Sequence, residues 1–166
     1  MKHKARHLAY AAILAALYAV LTHMQNLLIP GSATWMIQLR MSEAQMVLCF
    51  LTPAAPMGLA IGCLIFNMTF APALPLDFLV GTLATYFAGK CMWLTRNVGK
   101  LPLLGLAMPA LWNAVLVGWE LSVYIGGGFL INAIYVAIGE AIVLYAFGTA
   151  LYWLLKKRGL AHRLFR

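Results

Sequence analysis

Charge is scarce in this chain, and negative charge is nearly missing. Only 10% of the 166 residues are charged and four are acidic, against about 25% charged in a soluble domain. That excludes an ordinary water-soluble globule. A phosphate-binding loop is also lacking: Gly89-Lys90 and Gly99-Lys100 have neither the earlier glycine nor the following Ser or Thr. ATP hydrolysis by that route is excluded. The three cysteines, Cys49, Cys63 and Cys91, form no C-x-x-C pair and read as small packing residues. His3, His7, His23 and His162 form no ligand pair, so no metal or cofactor is expected. No Ser or Cys has a histidine placed to activate it. The chain is not expected to be an enzyme.

What is present is apolar: 64% of residues are hydrophobic, in runs longer than a core helix needs. The sequence predicts an all-α, multi-pass membrane bundle, one domain over residues 1–166. A net charge of +8 does not imply nucleic acid, because the cations sit at the ends of apolar runs. The first run, Leu8 to Ile29, is too long for a signal peptide and reads as a first membrane helix. It carries a stripe of small residues, Ala11, Ala15 and Ala19, with Ala12 and Ala16 beside them. Such a stripe lets another helix approach closely, inside the bundle or from a partner.

Pro30-Gly31 ends that helix, and a loop with Trp35 and Gln38 leads to Arg40. Glu43–Thr52 and Met57–Ala71 follow, split by Pro53 and Pro56. Ten α-helical residues cover roughly 15 Å, half of a bilayer core. The pair therefore reads as two short crossings or one re-entrant hairpin. A fourth helix runs from Leu76-Asp77 to about Leu94, and a fifth from about Pro102 to Ile125, kinked at Pro109. After Gly126-Gly127-Gly128 a sixth runs from Phe129 to about Leu155. Basic residues then collect at the N-terminus, the linker with Lys90, Arg96 and Lys100, and the C-terminus with Lys156, Lys157, Arg158, Arg163 and Arg166. Alternation puts all of these on one side, cytoplasmic by the positive-inside rule, with both termini there. Arg40 is the exception.

The four carboxylates take the opposite half. Glu43 and Asp77 start helices at the outer face. Glu120 lies roughly 9 Å, and Glu140 roughly 16 Å, below it. Ionisable groups at that depth are costly and face a partner or a wet cavity. One reading keeps them protonated or hydrogen-bonded to Asn113 and Tyr hydroxyls. The other is an outward-open pocket for a cationic or donor-rich ligand. Asn113 and Glu120, seven apart, share one face of helix 5, and Trp112 and Trp119 repeat that spacing on the next line. Asn132, Tyr135 and Gly139 share a face of helix 6, and Asn67 adds another amide. Indole faces suit a flat heterocycle, and one carboxylate suits two parallel N–H donors.

Gln38-Leu39-Arg40-Met41-Ser42-Glu43-Ala44, Thr52-Pro53-Ala54-Ala55, the run from Leu76-Asp77-Phe78 to Thr85, Trp112-Asn113-Ala114, Gly118-Trp119-Glu120 and Gly139-Glu140 together resemble the queuosine-precursor transporter family (QueT). The resemblance covers nearly the whole chain. It implies the substrate-binding S component of an energy-coupling factor (ECF) importer in the plasma membrane, with six spans. Its partners are a transmembrane coupling protein (EcfT) and two ECF ATPase subunits, which hydrolyse the ATP. The ligand implied is 7-aminomethyl-7-deazaguanine or a queuine-like 7-deazaguanine. Glu120, Glu140, Asn113, Trp112, Trp119, Asn67 and Asp77 become the expected substrate contacts. Arg40 and Glu43 become an outer gate, and Ala11, Ala12, Ala15, Ala16 and Ala19 the docking surface for the coupling protein. Rivals are an S component for another vitamin-like solute and a small proton-coupled exporter using Glu140.

Overall fold

A computed structural model describes residues 2–33, 37–70, 73–97 and 103–157. Trp35, Lys100, Arg158, Arg163 and Arg166, and the expected ends of helix 3 at Ala71 and helix 5 at Pro102, lie outside these residues. The described chain is all helical. Helix α1 spans Lys2–Leu28, a 3₁₀ helix Met41–Phe50, α2 Ala55–Thr69, α3 Asp77–Thr95, α4 Leu103–Leu106 and α5 Met108–Tyr124. The last rod is α6, Phe129–Ile142, a π-helical turn Val143–Gly148, and α7, Thr149–Lys157. Two stretches, Lys4–Leu28 and Phe129–Lys157, are long and apolar enough to cross a membrane.

The fifth helix is broken rather than kinked. The chain turns at Ala107, and Pro109 sits in the first turn of α5, where its missing N–H has no intrahelical partner to lose. The turn from α5 to α6 needs three successive positive φ angles, 89°, 81° and 81° at Gly126, Gly127 and Gly128. Only glycine adopts these without strain.

Successive rods alternate in direction. Tyr18 bonds Glu43, and Thr22 lies 2.7 Å from the Ser42 hydroxyl, while Gln25 accepts the Met41 N–H. The 3₁₀ helix therefore runs back along α1. Next, α2 runs parallel to α1: Gly58 meets Ala11, Gly62 meets Ala15, and Phe66 meets His23. Helix α3 returns, placing Gly81 beside Asn67 and Gly89 beside Pro56. Phe87 against Trp112 and Gly118 against Ala133 carry the alternation through α5 to α6. The start of α1 and the end of α7 thus share one end of the bundle.

The 3₁₀ helix resolves the length problem left by the sequence. Its rise of about 2.0 Å per residue stretches ten residues to about 20 Å. That carries the chain from the level of Gln25 past that of Tyr18, into the core that also holds Leu14. Nine of its residues, Ser42 to Phe50, are buried, because α1, α2, α3 and the π turn all pack on it. Met46, Val47, Leu48, Cys49 and Phe50 join Tyr18, Leu59, Met92 and Leu144 in the main core. The outside is apolar, with Leu17, Val20, Leu83, Ile134 and Ile142 exposed.

The small stripe of α1 splits in two. Ala11, Ala15 and Ala19 are buried against the chain's own α2. They are internal packing, which corrects their assignment to a partner surface. Ala12 and Ala16 remain exposed. A Cβ at Gly62 would lie 2.6 Å from Tyr18 Cβ and 2.7 Å from the Ala15 carbonyl. Gly62→Ala therefore forces α1 and α2 apart, and should cost about 1–3 kcal/mol. A lowered Tm in detergent checks this.

Candidate functional site

The loop before the 3₁₀ helix turns inward. Arg40, expected at the outer surface as half of a gate, is 5% exposed, and Glu43 is 1% exposed. The expectation failed because chain position fixed where the loop leaves α1 but not where it goes next. Gln38 sits directly on Gly139, where a Cβ would come 2.5 Å from its carbonyl oxygen. The missing side chain at 139 is what lets this segment lie against α6. Extended backbone at Arg40 (φ −77°, ψ 100°) then leads into the 3₁₀ helix.

Arg40 is the one buried cation among the described residues. Its Nε donates to the Ala33 carbonyl at 2.8 Å, and its guanidinium carbon lies 5.7 Å from the centre of the Phe66 ring. Its charge acts through space on Glu43, Asp77, Glu120 and Glu140, although among the described residues it makes no direct ion pair with any of them. Glu120 is 0% exposed, Glu140 3% and Asp77 5%. They come from the 3₁₀ helix, α3, α5 and α6. Arg40 is thus the buried cation that no position in helices 5 or 6 supplied.

Each carboxylate has a different setting. Glu43 accepts a hydrogen bond from the Tyr18 hydroxyl, and its other oxygen has no partner. The Asn113 amide donates to Glu140 Oε1 at 3.1 Å, leaving Oε2 unmatched. Asp77 accepts the Leu74 N–H at 2.9 Å and, through its backbone oxygen, the Asn67 amide at 2.7 Å. Glu120 has no donor on either oxygen and faces Asp77, another acceptor. Asn67 Oδ1 and Asn132 Oδ1 are unmatched too. The cluster therefore carries a surplus of unmatched acceptor atoms, which a donor-rich ligand would complement.

Of the expected contacts, Glu120, Glu140, Asn113, Asn67 and Asp77 lie on this interior. The two indoles do not. Trp119 is 48% exposed, and Trp112 stacks on Phe87, ring centres 5.0 Å apart. Both sit one residue before the acid and amide, a rotation of about 100°, which turns their line away from α6. Tyr135 faces outward, and Asn132 spends its amide on the Gly126 carbonyl at 2.7 Å. The aromatic rings at the cluster are instead Tyr18, whose hydroxyl bonds Glu43, and Phe66, which lies under Arg40 and stacks on Phe70 with centres 5.1 Å apart. Tyr18, Thr22, Asn26 and Ser42 escaped notice, although Tyr18, Thr22 and Asn26 recur every four residues in an apolar helix. That spacing marks a polar interior line.

Residues 8–157 match the family described as QueT transporter. No curated protein and no solved structure matches the chain.

Arg40→Ala would remove the buried Nε–H bond to Ala33 and the one buried cation whose charge acts on the four acids. Breaking a buried charge set costs about 3–5 kcal/mol, so the variant should lose Tm sharply rather than merely exchange ligand faster. Arg40→Lys should rescue only in part, because Lys lacks the Nε–H that reaches Ala33. Thermal melts of both variants check this.

Proposed function

Because the chain belongs to the QueT transporter family, which residues 8–157 show, we propose that it is the solute-binding S component of an ECF importer for a 7-deazaguanine precursor of queuosine. The observation that carries this reading is four buried carboxylates and one buried guanidinium, with Glu120 and one oxygen of Glu140 lacking any donor. A 7-deazaguanine offers two parallel N–H donors along its ring edge, which match one carboxylate. The aminomethyl group of 7-aminomethyl-7-deazaguanine supplies the positive charge that Arg40 alone does not. Glu140, oriented by Asn113, and Glu120, beside Asp77, are the two acceptor stations. Queuine-like ligands share the ring edge.

Six alternating rods support six membrane crossings in one domain, with both termini on the cytoplasmic side of the plasma membrane. Lys4, Arg6, Lys90, Arg96, Lys156 and Lys157 lie toward that end, where positive charge is retained. Ala12 and Ala16, exposed on α1, are what remains of the small stripe for close approach by the coupling protein EcfT. Two ECF ATPase subunits supply the ATP hydrolysis for which this chain has no phosphate loop.

Two experiments test the reading. Calorimetry should find 7-aminomethyl-7-deazaguanine bound about 1.5–3 kcal/mol more tightly than the neutral 7-cyano analogue, the range of one charge-assisted bond. Glu120→Gln and Glu140→Gln should each weaken it by a similar amount. Equal affinity for the two ligands, or wild-type affinity in both variants, removes the acidic cluster from the site. Separately, Ala12→Leu and Ala16→Leu should keep solute binding and lose copurification of the coupling protein. Retained copurification would make that face lipid-exposed only.

A further inference from the structure

The acidic cluster is closed off, with Asp77, Glu120 and Glu140 exposed by 5% or less, so a ligand must first be held somewhere outside it. A 370 Å³ pocket lies at the ends of α2 and α3, lined by Asn67, Phe70, Ala73, Leu74, Pro75 and Phe78 among others. Asn67 is 5% exposed, its Oδ1 has no partner, and it lines this pocket while its amide grips the backbone of Asp77. One side chain therefore belongs to both the pocket and the cluster.

We propose that this pocket is the outer docking subsite for a flat, donor-bearing nitrogen heterocycle on its way to the acidic cluster. The proposal rests on the functional reading above and adds the route. Phe70, stacked on Phe66, and Phe78 offer ring surface to a planar solute. Asn67 Oδ1 accepts one of its N–H groups. Asp77 links the subsite to the interior, because its carboxylate holds the Leu74 N–H at 2.9 Å. A ligand donor that takes over Asp77 competes with that bond and loosens Leu74 at the pocket wall. The order is therefore capture by Asn67 and the phenyl rings, exchange at Asp77, then passage to Glu120.

Capping the pocket after folding tests this. Phe78→Cys and Met68→Cys, at positions 43% and 70% exposed, are purified, reconstituted in nanodiscs and reacted with a bulky maleimide. Wild type treated identically controls for Cys49, Cys63 and Cys91. Binding and release of 7-aminomethyl-7-deazaguanine are followed by surface plasmon resonance. The proposal expects both rates to fall about tenfold on capping, within the spread of association rates among variants of one site, with Kd nearly unchanged. Unchanged rates in both capped variants overturn it. So does a weakened Kd with unchanged association, which would make the pocket the resting site instead. If untreated wild type fails to bind the ligand at all, the functional reading falls, and the failure is visible before any capping.

Discussion

One buried guanidinium sets the terms for the rest of this fold. Arg40 holds Ala33 through its Nε–H, lies over Phe66, and is the one buried cation among the described residues, its charge acting through space on the four acids. Each of those acids is costly in an apolar interior unless its oxygens find donors. Glu120 and Glu140 lie deepest along their helices, where among the described residues Asn113 is the only hydrogen-bond donor to either. Structural necessity and ligand demand thus come from the same arrangement.

Bringing Arg40 inside requires the rest of the architecture. The loop after α1 must fold inward, so Gly139 leaves its backbone contact open. The segment that follows must reach the far end of the bundle in few residues, so it winds as a 3₁₀ helix. A rod buried on every side must be lined by close neighbours, so Gly148 in the π turn approaches Val47 at 3.0 Å (measured from the position a Cβ would take). The narrow 3₁₀ rod and the wide π turn face each other. Glycines 58 and 62 draw α2 onto α1 beside them, closing the wall through which Tyr18 reaches Glu43.

The helical class, the alternation of rods and the burial of Glu120, Glu140, Asn113, Asn67 and Asp77 were legible in the sequence, because apolar run length and charge depth report them directly. Position across a helix was less so. Ala11, Ala12, Ala15 and Ala16 all fit one small-residue pattern, but only the Gly58 and Gly62 partners decide which pair is internal, and those lie more than forty residues away. Trp112 and Trp119 failed for the related reason that adjacent lines on a helix can face opposite environments. Arg40 failed differently. Its place just past the end of α1 was readable from the sequence, but nothing local could tell that its side chain turns inward, since most of the acids its charge acts on come from other helices.

The interior acids also explain why the outer pocket has the composition it has. A site with free access to water would screen its carboxylates and lose discrimination for cationic solutes. A site wholly closed would never load. The chain separates the two requirements. On the proposed route, Asn67 and the phenyl rings near it would meet solute with neutral, weakly selective surface, while Asp77 and Glu120, buried behind them, would meet its donors with unmatched acceptors. Asp77 serves both, tying the Leu74 backbone on one side and facing Glu120 on the other. Selectivity then resides where the dielectric is low, and access where the surface is forgiving.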